Sequence, residues 1–186
     1  MKFVKKHWSN ILFFTILVLL IIPQTRIPIQ VFVQRLIAFS PSETDETKRE
    51  TLNNYNWNLQ QLGAGEVNFS KSEGKVTIVN FWATWCPPCV AEMPSFQKLY
   101  DVYGDNVDFY FVTSENPEKI VNFIAKNGYS LPFFVQRYEA PKQLESLVLP
   151  STYLISKKGQ IIIAEEGAAN WNSKKMRTLL DQLLIK

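Results

Sequence analysis

Cys86 and Cys89 are the only cysteines in this chain of 186 residues, and only Pro87 and Pro88 separate them, within NFWATWCPPCVAEMP, Asn80 to Pro94. Two thiols at this spacing can grip a metal, tether a haem, staple a loop or carry electrons. A structural zinc site needs four ligands, and one Cys pair supplies two, so zinc would require a second copy of the chain. Covalent haem attachment needs a histidine directly after the second cysteine, where Val90 stands. A disulfide across two residues closes too small a loop to remove much entropy from the unfolded chain. A soft ion such as Cu(I) suits a thiol pair, which keeps a metal chaperone as an alternative. Against it, Met93 is the only thioether close by, and the single histidine, His7, lies far away. A redox pair fits best, because a thiolate at the start of a helix is stabilised by unpaired backbone N–H groups and the helix dipole.

That chemistry needs a strand to deliver the cysteines and a helix to begin at them. Lys75–Trp82, rich in β-branched and aromatic residues, reads as a buried strand. Val90–Tyr103 reads as a helix, and Val107–Thr113 as a second strand. Asn116, Pro117 and Glu118 form a helix start: cap, N1 proline and first-turn acid. Leu131–Val135 is a short strand, Pro141–Leu147 a short helix, and Thr152–Ile155 with Ile161–Ala164 a hairpin about Lys158-Gly159. Met176, Leu179, Leu180, Leu183 and Leu184 mark a final amphipathic helix. The order is βαβα, a small βα insertion, then ββα, which predicts an α/β fold: a central mixed sheet with helices on both faces.

The N-terminus has a different character. Lys2, Lys5 and Lys6 precede an apolar run, Ile11 to Ile22, broken only by Thr15. This is the layout of an export signal or signal anchor. With no convincing cleavage site near the run, residues 1–26 are expected to form a basic segment and an uncleaved transmembrane anchor. The lysines place the N-terminus in the cytoplasm and the rest outside. Pro28 followed by Ile29, Phe32, Val33, Leu36 and Ile37 predicts an amphipathic interfacial helix over 27–39. Residues 40–55 read as a polar linker, and 56–186 as the folded domain.

Charge excludes one class of partner. Residues 1–40 carry five basic side chains and no acid, whereas 41–186 carry 15 basic and 17 acidic. The domain is near neutral and has no basic field for phosphates, so nucleic acid is not an expected partner.

FWATWCPPC followed by AEMP resembles the active-site segment of the thioredoxin superfamily, and in particular its TlpA- and ResA-like branch of membrane-anchored, extracytoplasmic thiol-disulfide oxidoreductases. The likeness extends over about 56–186 and includes Pro94, which should kink the active-site helix. It also includes Leu149-Pro150-Ser151-Thr152, which matches the cis-proline loop, and the insertion near 131–147. The resemblance implies a thioredoxin-like fold with no cofactor, Cys86 as nucleophile and Cys89 as resolving thiol. It implies that Glu92 takes the Cys89 proton, since Asn80 occupies the usual place of a buried acid and cannot exchange one. Trp85, Pro87, Leu149 and Pro150 would meet the substrate, and Trp82 would be core. The implied partners are protein thiols or disulfides, for example in cytochrome c maturation, and a membrane thiol donor of the DsbD or CcdA kind. The same residues could run in reverse as a disulfide-donating oxidase. From the residues alone, Pro87 and Pro88 leave the Cys89 N–H as the main first-turn donor for the Cys86 sulfur.

Overall fold

The computed structural model describes residues 2–185. Seven strands form one sheet in the order β2-β1-β5-β4-β3-β6-β7. They are β1 Asn58–Gln61, β2 Gly65–Asn68, β3 Thr77–Phe81, β4 Asp108–Thr113, β5 Phe133–Gln136, β6 Ser151–Ile155 and β7 Ile161–Glu166. β3, β4 and β5 run parallel and the remaining pairings are antiparallel. Five helices accompany them: α1 Lys2–Ile21, α2 Pro23–Ile37, α3 Pro87–Tyr103, α4 Pro117–Asn127 and α5 Lys174–Ile185.

The mixed sheet is as expected, but α3, α4 and α5 lie on one face rather than two. Their buried residues, among them Met93, Phe96, Leu99, Ile120, Met176 and Leu180, form one core with Ile78, Phe109, Phe111, Phe133 and Leu154. The cause is topological. β3, β4 and β5 succeed one another in a single direction across the sheet, and right-handed crossovers then place α3 and α4 on the same side. The opposite face is closed by Leu52, Trp57, Phe69 and Leu144 over Val79, Tyr110, Val112 and Tyr153. Alternation along each strand divides the two cores, so Asn80, next to Val79, faces α3.

One further reading is corrected and one element was unforeseen. The strand expected at Leu131–Val135 is met as β5, which lies between β1 and β4, but the helix expected over Pro141–Leu147 shrinks to one 3-10 turn, Lys142–Leu144. The β1–β2 hairpin was not anticipated, because Asn58–Asn68 is polar and glycine-containing, with little apolar alternation.

Among the described residues no helix is long and apolar enough to cross a membrane, so the expected spanning anchor is not met. The apolar part of α1 begins only at Ile11. Twelve residues to Ile22 rise about 18 Å at about 1.5 Å per residue, against a hydrocarbon core of about 30 Å. The side chains of the basic residues 1–7 lie outside the described ones. α2 packs against α3, with Val31 buried, and the Arg35 Nε–H donates to the Ala91 carbonyl at 3.3 Å. Ile29, Phe32, Val33, Leu36 and Ile37 are left exposed. The polar stretch that follows is docked along β7: Thr44 N–H donates to the Ile162 carbonyl and Ile161 N–H to the Glu50 carbonyl, and Leu52 is buried.

α4 shows how little a surface helix needs to be held. Asn116 caps it by accepting from Glu118 N–H at 2.9 Å, Gly128 ends it at φ 71°, and Ile120 is its one fully buried side chain. Ile120→Ala should therefore lower the unfolding free energy by about 2–5 kcal/mol in urea titration. The same change at its exposed neighbour Val121 should shift it by about 0.5 kcal/mol or less.

Candidate active site

β3 delivers the chain to the top of the sheet, and residues 82–85 turn it into α3. Cys86 is the N-cap of that helix. Pro87 and Pro88 occupy its first two positions and have no N–H, so the first-turn donor is Cys89 N–H, which points at Cys86 Sγ at 3.3 Å. The two cysteines are joined as a disulfide with their Cα atoms 5.3 Å apart. Cys89 is fully enclosed and Cys86 nearly so. A thiolate formed at Cys86 would sit at the positive end of α3 with an N–H already directed at it.

One turn beyond Cys89, Glu92 is buried, with both carboxyl oxygens occupied. Asn80 Nδ2 donates to Oε1 at 2.7 Å, while Trp171 Nε1–H and Ala169 N–H donate to Oε2 at 2.9 and 3.3 Å. Burial pushes the Glu92 carboxyl up to about 8, although the three hydrogen bonds pull it the other way. Its proton affinity therefore lies close to that of an ordinary thiol. Pro94 is inside α3, and Ser95 Oγ donates to the Glu92 carbonyl at 2.7 Å while accepting Trp171 N–H at 3.2 Å. These bonds tie the segment before α5 to the helix at this turn.

The rim is apolar and open. Trp85 projects into solvent, Trp82 is buried against Phe123 and Phe133, and Pro87 is half-buried. The Leu149–Pro150 peptide is cis, and Pro150 is buried, its carbonyl accepting Gly167 N–H at 2.8 Å. Among the described residues, no hydrogen bond engages either backbone group of Leu149, which leaves it available to an incoming strand. Trp85, Leu149 and exposed Leu147 line one groove with Val112, Ser146 and Glu115.

Three residues that shape the site were not singled out from the sequence: Thr84, Glu115 and Trp171. Glu115 holds the turn before Cys86 through both oxygens, accepting from Thr84 N–H and from the Thr84 hydroxyl at 2.9 Å. The signal for this pair was available, because residues just past the ends of adjacent parallel strands must meet there, and Thr84 and Glu115 follow β3 and β4. Trp171 gave no such signal, since it lies between β7 and α5 outside any repeating pattern.

The buried acid sets a pH dependence of stability. Glu92 keeps its proton to about pH 8 in the folded chain but releases it near 4.5 when unfolded. Between those values the folded state holds more protons, so stability falls as pH rises. Urea titrations of the oxidised protein should show this decline, at up to about 1.4 kcal/mol per pH unit. Glu92→Gln should remove that part of the slope.

The Redoxin family profile matches residues 46–181. The sporulation thiol-disulfide oxidoreductase A of Bacillus subtilis (strain 168) is 32% identical over 109 residues, covering 55% of this chain and 66% of that protein. The thiol-disulfide oxidoreductase ResA of Halalkalibacterium halodurans is 33% identical over 115 residues, 60% of this chain and 65% of the relative. The matched segment thus spans just under two thirds of each of these two curated relatives. The crystal structure of StoA from Bacillus subtilis superposes with a TM-score of 0.54 at 26% identity, over 70% of this chain and 96% of that one. With these likenesses added to the sheet, the N-cap cysteine and the cis-proline loop, the chain belongs to the Redoxin family, as a thioredoxin-superfamily member of the TlpA- and ResA-like kind.

Proposed function

We propose that this protein is a thiol-disulfide oxidoreductase that reduces protein disulfides outside the cytoplasm, at a membrane surface. The observation that carries this reading is the closed Cys86–Cys89 pair at the N-terminus of α3, with Cys89 N–H directed at Cys86 Sγ beside an open rim.

In the reduced state the Cys86 thiolate attacks one sulfur of a substrate disulfide. A Cys86–substrate bond forms, the substrate S–S bond breaks, and the first substrate sulfur leaves as a thiolate. Glu92, when ionised, takes the Cys89 proton. The Cys89 thiolate then attacks Cys86 Sγ and expels the second substrate sulfur. The substrate gains two electrons, and the protein returns to the disulfide seen here. Trp85, Pro87, Leu149 and Pro150 form the surface against which the substrate chain lies, Leu149 offering its free backbone groups.

The cycle needs two electrons per turn, and a membrane thiol donor of the DsbD or CcdA kind would supply them. Keeping selected protein thiols reduced, as in cytochrome c maturation, fits this direction. The exposed apolar side chains of α1 and α2, in a segment with basic residues and no acid, support attachment to a membrane surface.

Two measurements test the reading. Cys89→Ser should accumulate mixed disulfides with protein partners on non-reducing gels, whereas Cys86→Ser should not; equal trapping by both would reverse the nucleophile assignment. Equilibration in thiol redox buffers should give a reduction potential of roughly −270 mV or lower. A value near roughly −120 mV, that of a strong oxidant, would make the protein a disulfide donor instead.

A further inference from the structure

Glu92 belongs to a chain of buried polar groups that crosses four segments of the fold. Trp171, from the segment before α5, donates its indole N–H to Oε2 at 2.9 Å, and its ring stacks on Phe96 of α3 with centroids 5.0 Å apart. Asn80, on β3, donates Nδ2 to Glu92 Oε1 at 2.7 Å and to Thr152 Oγ1 at 2.8 Å. Asn80 and Thr152 face each other in the β3–β6 register, and Thr152 stands two residues after Pro150. The buried Asn80 Oδ1 has no hydrogen-bond partner among the described residues, which is costly for an enclosed acceptor.

With Glu92 ionised, Nδ2 donates to the carboxylate, as seen, while the same amide group bonds the Thr152 hydroxyl. A neutral amide does this without placing a second negative charge beside Glu92, as an aspartate would.

We propose that Asn80 and Trp171 are positioning residues of the thiol exchange, fixing the two oxygens of the Glu92 carboxyl and linking it through Thr152 to the strand that follows the Leu149–Pro150 loop. This rests on the proton-accepting role assigned to Glu92 above. Other groups bear on the same carboxyl. Glu165 of β7 opposes its ionisation. Arg35 of α2 is bonded to the neighbouring Ala91 carbonyl and lines one cleft with Lys98 and Ala169. Cys86 and Cys89 add their own charge when reduced. Asn80, Thr152 and Trp171 are neutral, so replacing them leaves this charged surround in place.

The test follows release of glutathione from a preformed mixed disulfide on Cys86, a step that reads attack by Cys89, as a function of pH. Trp171→Phe keeps the ring over Phe96 and removes only the N–H. Asn80→Leu keeps the branched outline of the side chain, at a larger volume, and removes the other donor. Each deletes a hydrogen bond that favours the ionised acid, so the midpoint of the rate profile should rise by about one pH unit, a tenfold loss of ionised Glu92 at fixed pH. If Trp171→Phe does not fold, Asn80→Leu makes the same comparison. A lower rate with an unmoved midpoint in both variants, alongside a Glu92→Gln profile that has lost the midpoint, would overturn the positioning role while leaving Glu92 as proton acceptor. A Glu92→Gln profile identical to that of the natural protein would overturn both.

Discussion

A carboxyl group taken out of water is the constraint around which this site is arranged. Left alone in a core, Glu92 would either lose its charge permanently or unfold its surroundings. It is accommodated because three donors from two separate segments converge on it, and this convergence explains several features that look unrelated. β3 carries a polar residue, Asn80, on its core face. The segment between β7 and α5 folds inward to bring Ala169 N–H and the Trp171 indole to the acid. Ser95 ties that segment back to α3. The balance between burial and donors keeps the proton affinity near that of a thiol, which suits the proton transfer proposed for it.

The second arrangement concerns Cys86 and is purely local. An N-cap sulfur, two prolines without N–H groups, and one remaining donor leave little choice in where the first-turn N–H points. Glu115 then fixes the approach to this cap from the neighbouring strand end, through Thr84. Around the site, the N-terminal part of the chain is closely integrated. α2 lies on α3, and the Phe39 carbonyl accepts Asn170 N–H at 2.8 Å, next to the two residues that hold Glu92. A helix with an exposed apolar face is thereby packed directly against the helix that carries the cysteines.

The site was legible where its logic is contained in a few consecutive residues. Strand, cysteine pair, double proline and following helix form one continuous signal, and the Cys89 donor to Cys86 follows from the prolines alone. The cis-proline loop and the exposed position of Trp85 were reached through resemblance, because composition gives no indication of either. The central strands and the N-cap of α4 were likewise local, set by β-branched runs and by Asn116. The β1–β2 hairpin was missed because its residues are largely polar and draw their order from pairing with β5. The spanning anchor was expected from an apolar run that is too short once the polar first half of α1 is counted.

The sequence by itself determined that a redox pair opens a helix after a buried strand, in an α/β chain with a basic, apolar N-terminus. These follow from interactions between residues a few positions apart, where spacing and chemistry are enough. Only the tertiary structure decided which face the helices cover, that the 131–147 segment supplies an inner strand, and that Glu92 meets Asn80, Ala169 and Trp171. Those outcomes depend on crossover direction and on contacts between residues far apart in the chain, 79 positions for Glu92 and Trp171, and no periodicity along the chain encodes them.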